Sequence, residues 1–379
     1  MTTMADNIDK KVLNVPHLRF PEFSGEWEKY SLGELCDEFK SGKNIKAGNI
    51  KEDGVYPVFG GNGLRGYTDI YNHEGDYVLI GRQGALCGNV RFVTGKTYIT
   101  EHAIAAKSTN NNYTRFLEYL FVGLNFGQFS DQSAQPGLAV NKLLKIETFV
   151  PSKEEQFKIA TLLRLIDERI ATQNKIIEDL KLLKDAIIER SYYNRSYHPC
   201  RIGDVIEQIS ERNKDKSIDM VLSVSNKQGF INQSEQFEDR IIASEDTSNY
   251  KIVHKNDFAY NPARINVGSI ARLTTIEMGI VSPMYICFRV RKGVVSEYLE
   301  HFFSTSYFFY EMQKRLEGSV RQCLSFESIC NIPIYIPSSE EQHTIGKKIS
   351  VLLDKIDVET LYHCKLVEQK HYLLRQMFI

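Results

Sequence analysis

The amino-acid sequence predicts an α+β fold in which two similar β-rich domains are each followed by a long α-helix. Three observations lead to this prediction: a segment that occurs twice, a heptad pattern of apolar residues after each copy, and short β-type segments separated by Gly, Asn and Asp turns. The two helices are expected to pair as an antiparallel coiled coil with pseudo-two-fold symmetry. The predicted boundaries are 1–150 and 194–336 for the domains, and 151–193 and 337–379 for the helices.

The repeat is clearest at the two helix starts. VPSKEEQFKIA at 150–160 recurs as IPSSEEQHTIG at 336–346. In both copies a Pro-Ser pair precedes two glutamates, which is typical of an N-cap and of the acidic first turn that a helix dipole favours. A weaker match upstream pairs FLEYLF at 116–121 with YLEHFF at 298–303. The chain is therefore predicted to be a duplication.

Each helix start is followed by apolar residues whose spacing alternates between four and three, the heptad seam of a coiled coil. The first helix is expected to reach about Tyr192, which makes it ~40 residues or roughly 60 Å long. Helices with such a stripe are expected to pack on each other, with packing of each on its own domain as the alternative. The seam residues, predicted to form the coiled coil and to bind partners, are Ile159, Leu163, Ile166, Ile170, Ile177, Leu180, Ile187, Ile345, Ile349, Leu352, Ile356, Leu366 and Leu373.

The linker after the first helix predicts how the helices are oriented. About eight residues separate Tyr193 from Ile202, and they span at most ~28 Å. A parallel pair would need a return of roughly 60 Å, whereas an antiparallel pair needs none. The two domains are therefore expected at opposite ends of a rigid rod.

The composition is that of a globular protein. The chain has 379 residues, of which 42% are hydrophobic and 25% charged, and no apolar run approaches the ~20 residues of a membrane span. Neither a signal peptide nor a C-x-x-C pair is present, so we expect a cytoplasmic protein whose seven cysteines are reduced and which binds no metal. The net charge of −1 shows no basic surplus, so binding of nucleic acid would depend on local placement or on a basic partner.

A glycine-rich stretch in the first domain, VFGGNGLRG at 58–66, contains the pattern G-x-G-x-x-G. A dinucleotide site would require a helix that begins on these glycines, because the helix N-terminus holds the pyrophosphate. The residues that follow, 67–71, are rich in β-branched and aromatic side chains and predict a strand instead. We therefore interpret the stretch as a hairpin loop and expect no cofactor.

Both domains are predicted to combine short strands with an embedded helix. The helix of the first domain is expected near 113–124 and that of the second near 297–312. The aromatic run YFFY at 307–310 lies on the second helix, which favours a buried core over a platform for stacked bases. The predicted strands of the first domain are 56–59, 67–71, 77–80, 89–93 and 97–99.

Polar loop residues are the candidate functional residues. Arg, Asn and Gln carry planar donor groups that match the edges of guanine and adenine, which makes them candidates for reading DNA. The alternative is structural: Asn tolerates tight turns, and Arg82 and Arg264, aligned with each other in the repeat, would form ion pairs. The candidates are Asn62, Arg65, Arg82, Gln83, Asn89, Gln132 and Gln135 in the first domain, and Asn226, Lys227, Asn261, Arg264, Asn266, Arg321 and Gln322 in the second.

These stretches give the chain a family resemblance. YPVFGGNGLRGYTD, VLIGRQG, NPARINVGSIA and the two P-S-x-E-E-Q helix starts are similar to the specificity subunit of type I restriction-modification systems, over essentially the whole chain. The resemblance implies that the β-rich domains are target recognition domains, each reading one half of a bipartite, asymmetric DNA site. It also implies that the spacer helices set the unread gap and dock two methylation subunits. Restriction subunits would join through that complex, and S-adenosylmethionine and ATP would bind to the partner subunits.

The resemblance further implies a non-catalytic chain, and two alternatives stay open. One is a DNA methyltransferase in its own right, because Asn261 to Arg264 resemble an N-P-P-F motif, although the aromatic residue and a cofactor-binding βαβ pattern are missing. The other is a coiled-coil scaffold without a role on DNA, against which the matched polar loops of both halves argue.

Overall fold

A computed structural model describes residues 13–84, 86–130, 137–192, 197–226, 228–233, 246–319 and 322–379. The chain divides into two compact units. Unit 1 comprises Met1–Asn174 and Leu361–Ile379, and unit 2 comprises Lys175–Thr360. Each unit therefore contains one β-rich domain together with part of each long helix.

Unit 1 is built from short strands and one long helix, α4, which begins in this unit and ends in unit 2. Its helices are α1 (Leu32–Leu35), α2 (Thr114–Leu124), α3 (Val140–Leu143) and α4 (Lys153–Tyr192). Its strands are β1 (Glu28–Ser31), β2 (Cys36–Ser41), β3 (Tyr56–Gly60), β4 (Gly63–Thr68), β5 (His73–Glu74), β6 (Tyr77–Gly81), β7 (Val90–Val93), β8 (Lys96–Ile99), β9 (Ala103–Ser108) and β10 (Glu147–Val150).

The strands of unit 1 form two four-stranded sheets and one ribbon. One sheet has the order β2-β9-β6-β7 with antiparallel neighbours, and the other has the order β4-β3-β8-β5 with a parallel β3–β8 pair. β1 pairs with β10 just before α4 begins. Successive side chains of β6 point to opposite faces of the sheet, so the strand contributes to two cores. Val78 and Ile80 belong to a core that includes α2 and α4, whereas Tyr77 and Leu79 belong to a second core.

The main core of unit 1 joins the first sheet to helices from both ends of the sequence. Phe116 of α2, Leu163 of α4 and Leu373 near the C-terminus are buried in one cluster. Phe378 packs against this cluster, with its ring stacked on Phe116 at a centroid distance of 5.4 Å. Burial of each such side chain contributes about 1.5–3 kcal/mol. The last residues of the chain are thereby held beside the start of α4.

Unit 2 has corresponding strands and helices, with two helices in the place of α2, and its long helix, α9, ends in unit 1. Its helices are α5 (Ile202–Val205), α6 (Ser296–Phe302), α7 (Ser306–Gln313), α8 (Phe326–Cys330) and α9 (Ser339–Gln376). Its strands are β11 (His198–Arg201), β12 (Ile206–Ile209), β13 (Val221–Ser225), β14 (Gly229–Asn232), β15 (Lys251–His254), β16 (Phe258–Tyr260), β17 (Ile270–Arg272), β18 (Met278–Val281), β19 (Ile286–Val290) and β20 (Pro333–Ile336).

The predicted duplication is confirmed by the strand order. Unit 2 contains a β12-β19-β16-β17 sheet and a β14-β13-β18-β15 sheet, which repeat the two sheets of unit 1 strand for strand. The parallel pair recurs as β13–β18, and the ribbon before the long helix recurs as β11–β20. Two copies of one fold therefore follow each other along the chain.

The glutamine of the repeated P-S-x-E-E-Q sequence ties each long helix to its domain. The side chains of Gln156 and Gln342 are buried, and each Nε2 donates to the carbonyl of the proline five residues earlier at 3.0 Å. Gln156 Oε1 accepts from the Tyr113 N–H at 3.0 Å, and Gln342 Oε1 accepts from the Val295 N–H at 2.7 Å. Tyr113 and Val295 directly precede α2 and α6, so the same amide fixes the embedded helix in both copies.

The predicted N-caps are also confirmed. Ser152 Oγ accepts from the Glu155 N–H at 3.4 Å, and Ser338 Oγ accepts from the Glu341 N–H at 3.3 Å. The acids then differ: Glu341 Oε2 accepts from the Ser338 hydroxyl at 3.1 Å, whereas buried Glu155 accepts from two nitrogens of Arg19 at 2.7 and 2.8 Å.

The predicted seam residues are all buried or half-buried. In unit 1, Ile159 and Leu163 share a core with Leu373, and in unit 2, Ile345 and Ile349 share a core with Ile188 of α4. Within each unit, the start of one long helix therefore lies beside the end of the other. Antiparallel helices must pack start against end in this way at both ends of the pair. A coiled coil along the whole length of the helices stays a prediction.

One predicted strand begins earlier than expected. The turn between β3 and β4 takes only Gly61 and Asn62, so β4 runs from Gly63 to Thr68 rather than over 67–71. Two glycines of the predicted loop thus lie within a strand, because the hairpin reverses direction within two residues.

The embedded helix of the second domain is split into α6 and α7 rather than continuous over 297–312. Thr305 starts a new helix, since its hydroxyl accepts from the Phe308 N–H at 3.1 Å. The YFFY run lies on α7, where Phe308 is fully buried as predicted, whereas Tyr310 is 59% exposed.

Candidate nucleic-acid interface

Loops of unit 1 bring several candidate residues together. Asn62 is exposed in the turn between β3 and β4, and Arg65 is exposed on β4. Gly61 lies so close to the neighbouring loops that an added Cβ would be 2.7 Å from the His102 carbonyl oxygen and 3.6 Å from the Arg82 nitrogen. Glycine is therefore required where the β3–β4 turn, the β6–β7 loop and the β8–β9 turn meet.

Arg82 and Gln83 follow β6 and are held by backbone contacts. The Arg82 N–H donates to the His102 carbonyl, and the Arg82 carbonyl accepts from the Leu138 N–H, both at 2.9 Å. Arg82 Nε makes a long bond of 3.4 Å to the Leu138 carbonyl, which differs from the ion pair that the structural alternative would require. Gln83 Oε1 lies 3.0 Å from His102 Nδ1. The β8–β9 turn thus positions both candidates.

A narrow cleft of about 40 Å³ lies between the glycine loop and β7. Asn89 and Arg91 line this cleft and are exposed. Gly63 has φ of +105°, and an added Cβ there would lie 3.1 Å from Arg91 Nη2. Glycine supplies both the left-handed backbone and the space for the guanidinium. The G-x-G-x-x-G stretch therefore serves loop packing and side-chain placement, as it leads into β4 and not into a helix.

Arg91 and His102 were not among the predicted residues. A signal for Arg91 was present, because residues two apart on a strand share a face and Asn89 was already a candidate. His102 carries no comparable signal, since its place beside Gln83 depends on pairing between distant strands.

Unit 2 places its candidates in the corresponding loops. Asn226 is exposed in the β13–β14 turn, and Gly268 approaches it so that an added Cβ would lie 3.7 Å from the Asn226 Cβ. Arg264 and Asn266 are exposed in the loop after β16, and Gln322 is exposed before α8. The side chains of these four candidates are therefore accessible to a ligand.

Asn261 differs from the other candidates of unit 2. It is 7% exposed, and its Oδ1 accepts from the Ala263 N–H at 3.1 Å, which closes a turn on its own loop. Its N–H donates to the Ser269 carbonyl at 3.1 Å. This geometry favours the structural alternative for Asn261. It also uses the side-chain oxygen of Asn261, the first residue of the sequence that resembles an N-P-P-F motif.

Backbone hydrogen bonds correct the predicted alignment of the two loops. The Leu138 N–H donates to the Arg82 carbonyl at 2.9 Å, and Leu324, its counterpart in the repeat, donates to the Pro262 carbonyl at 3.0 Å. Arg82 therefore corresponds to Pro262, and its predicted pairing with Arg264 is wrong by two residues. The reason is that a short polar loop has no periodicity that could fix its register.

Four candidates, Gln132, Gln135, Lys227 and Arg321, lie outside the described residues. Within the described ranges, no group of three or more His, Cys, Asp and Glu side chains could hold a metal ion. None of the helices that the structure describes has the length and hydrophobicity to cross a membrane.

The long helices carry exposed apolar residues that the heptad pattern did not single out. Leu182 and Leu183 of α4 are 67% and 49% exposed, and Val358 and Leu361 of α9 are 61% and 62% exposed. Single exposed apolar residues are ordinary on protein surfaces, and it is their number along both long helices that suits a protein-binding surface. A protein partner would meet these residues rather than the buried seam.

Comparison with known proteins gives the same pattern of two copies. The family model described as "Type I restriction modification DNA specificity domain" matches residues 24–182 and 194–365. Among curated relatives, the type I restriction enzyme EcoprrI specificity subunit of Escherichia coli is 42% identical over 154 residues, which are 40% of this chain and 38% of that protein. The putative type I specificity subunit S.MgeORF438P of Mycoplasma genitalium is 26% identical over 46% of this chain and 47% of its own length. The matches thus span less than half of each relative.

Solved structures share the fold. The crystal structure of the S subunit of a type I restriction-modification system from M. genitalium has a TM-score of 0.64 and 17% identity, with 96% of this chain and 99% of that chain covered. At this identity the likeness concerns the fold, and it extends over both units of the present chain.

Proposed function

The chain belongs to the family of type I restriction modification DNA specificity domains, of which it carries two, and we propose that these domains read the two parts of a bipartite DNA target. The observation that carries the proposal is the duplicated fold with polar loops at the same places in both copies. In unit 1 the loops after β3, β6 and β8 meet, and in unit 2 the loops after β13 and β16 meet. Arg, Asn and Gln side chains on such loops match base edges in the major groove.

Partner subunits complete the proposed activity. The net charge of −1 gives the chain little attraction for phosphates, which supply most of the affinity of DNA-binding proteins. We therefore assign many of the contacts with DNA phosphates to two methylation subunits. These subunits would dock on exposed apolar residues of α4 and α9 such as Leu182 and Leu361. Restriction subunits would join this complex, which would act on DNA in the cytoplasm.

The chain itself is proposed to be non-catalytic, with S-adenosylmethionine and ATP bound by its partners. The test is methyl transfer from S-adenosylmethionine to DNA by the chain alone, by the methylation subunit alone and by the mixture. Sequence-specific transfer is expected only from the mixture. Transfer by the chain alone would favour the methyltransferase alternative, and an inactive mixture whose subunits do not associate would favour the scaffold.

A further inference from the structure

We propose that Arg91 is a specificity-determining residue that reads the edge of a guanine in the first half of the DNA target. The inference rests on the proposed function, since it assumes that unit 1 faces DNA. Three observations carry it: the exposure of Arg91, the absence of a side-chain partner among the described residues, and a glycine that fixes the guanidinium beside two candidate residues.

The guanidinium of Arg91 lies against the backbone of Gly63. An added Cβ at Gly63 would be 3.1 Å from Arg91 Nη2 and 3.4 Å from Cζ and Nε, so the group spreads across the glycine face. Any larger residue would displace it, and φ of +105° already disfavours other residues there. Backbone contact of this kind orients a planar group before a ligand arrives.

Arg91 is not used to hold the protein together. Arg19 pairs with Glu155, Arg115 with Glu118 and Arg164 with Glu168 in the same unit. By contrast, the exposed side chain of Arg91 makes no hydrogen bond or ion pair with the residues that the structure describes, and only the backbone of Arg91 is paired, with β6. An arginine that is oriented but unpaired keeps its donors for an external acceptor.

The surroundings of Arg91 favour a base over a phosphate. Asn62 and Asn89 line the same cleft and are exposed, so one arginine and two asparagines surround it. Phosphate contacts require charge but little geometry, whereas guanine offers O6 and N7 side by side and matches the fork of an arginine. A fork held flat against Gly63 has the preorganisation that base reading requires.

The test uses the chain assembled with its methylation subunits and a randomised duplex library. Arg91→Ala should remove the preference for guanine at one position of one half-site, where discrimination falls by about 5- to 150-fold. Arg91→Lys keeps the charge but loses the fork, so it should relax the same position while the salt dependence of binding stays unchanged. Arg264→Ala is the matched control, because its effect should fall in the other half-site.

A phosphate contact would give a different result and would overturn the proposal. Arg91→Ala would then weaken all sequences alike and lower the salt slope by about one, and Arg91→Lys would behave like the parent chain. Unchanged preference in both variants would also overturn it. If the parent complex selects no bipartite site, the proposed function fails together with this inference, whereas a bipartite site that ignores Arg91 leaves the proposed function intact.

Discussion

Lys370 Nζ, near the end of α9, lies 2.5 Å from Asp167 Oδ1 in the first half of α4. The Tyr119 hydroxyl donates to the other oxygen of Asp167 at 2.9 Å, so three elements of unit 1 meet at one carboxylate. Lys184 holds the position of Lys370 in the repeat of unit 2, and there it lies near His301, which replaces Tyr119. The two ends of the long helices therefore have related sequences but different charge arrangements.

The first prediction concerns this ion pair. Lys370→Met should lower the free energy of unfolding by about 1–2 kcal/mol, because Asp167 is only 33% exposed. Breaking a half-buried ion pair costs more than breaking a surface pair and less than breaking a fully buried pair. Lys365→Met is the matched control, since Lys365 and Glu368 are both about two-thirds exposed, and it should leave stability unchanged. Denaturant titration compares them; equal effects would mean that the Asp167 contact does not anchor the helices.

The second prediction concerns the buried glutamines. Gln156→Ala and Gln342→Ala should each cost about 1–3 kcal/mol, because the backbone N–H groups of Tyr113 and Val295 lose their acceptors inside the protein. Glu154→Ala serves as the control, as this exposed neighbour lies on the same first turn. The free energy of unfolding from denaturant titration is the measurement, and a glutamine variant as stable as the control would contradict the anchoring role.

The third prediction concerns pH. Burial, with a contribution from the nearby charges of Arg272 and Lys184, lowers the pKa of His301 to about 4, although Glu297 opposes this shift. An unfolded histidine binds a proton near pH 6.5. As the pH falls from about 6.5 to 4, the unfolded state gains a proton that the folded state does not, so stability drops by on the order of 1 to 3 kcal/mol.

His301→Tyr, which introduces the residue found at this position of the repeat, should remove that part of the pH dependence. The free energies of unfolding at pH 7 and pH 4.5 are compared with those of His343→Tyr, a control at an exposed histidine of α9. An unchanged slope in the His301 variant would show that another group causes the loss.

The fourth prediction concerns the distance between the half-sites. Seven residues inserted after Gln173 and after Glu359 keep the heptad stripe and add ~10 Å to each long helix. Because DNA rises 3.4 Å per base pair, the doubly extended protein in its complex should prefer a gap longer by about three base pairs. A library with varied gap lengths measures this preference. An unchanged gap in a folded double insertion would mean that partner subunits, and not the helices, set the distance.

The sequence alone predicted the features that depend on local patterns. The caps at Ser152 and Ser338 and the buried seam follow from composition and spacing within one helix, and both are found. A shared strand face with Asn89 could have added Arg91 as a candidate, but its contact with Gly63 could not be predicted, because Gly63 is far away along the chain and lies on a strand of the other sheet. The alignment of Arg82 with Arg264 failed for a related reason, since only backbone pairing fixes the register of a loop.

If each unit reads its own part of one DNA target, the sequence methylated by the assembled complex must have two parts. Methylation sites are mapped on a genome or random library with the parent chain and with Arg264→Ala. We expect two blocks of specified bases separated by an unread gap of constant length, and an Arg264→Ala variant that changes only one block. A single continuous motif, or a variant that alters both blocks together, would contradict it.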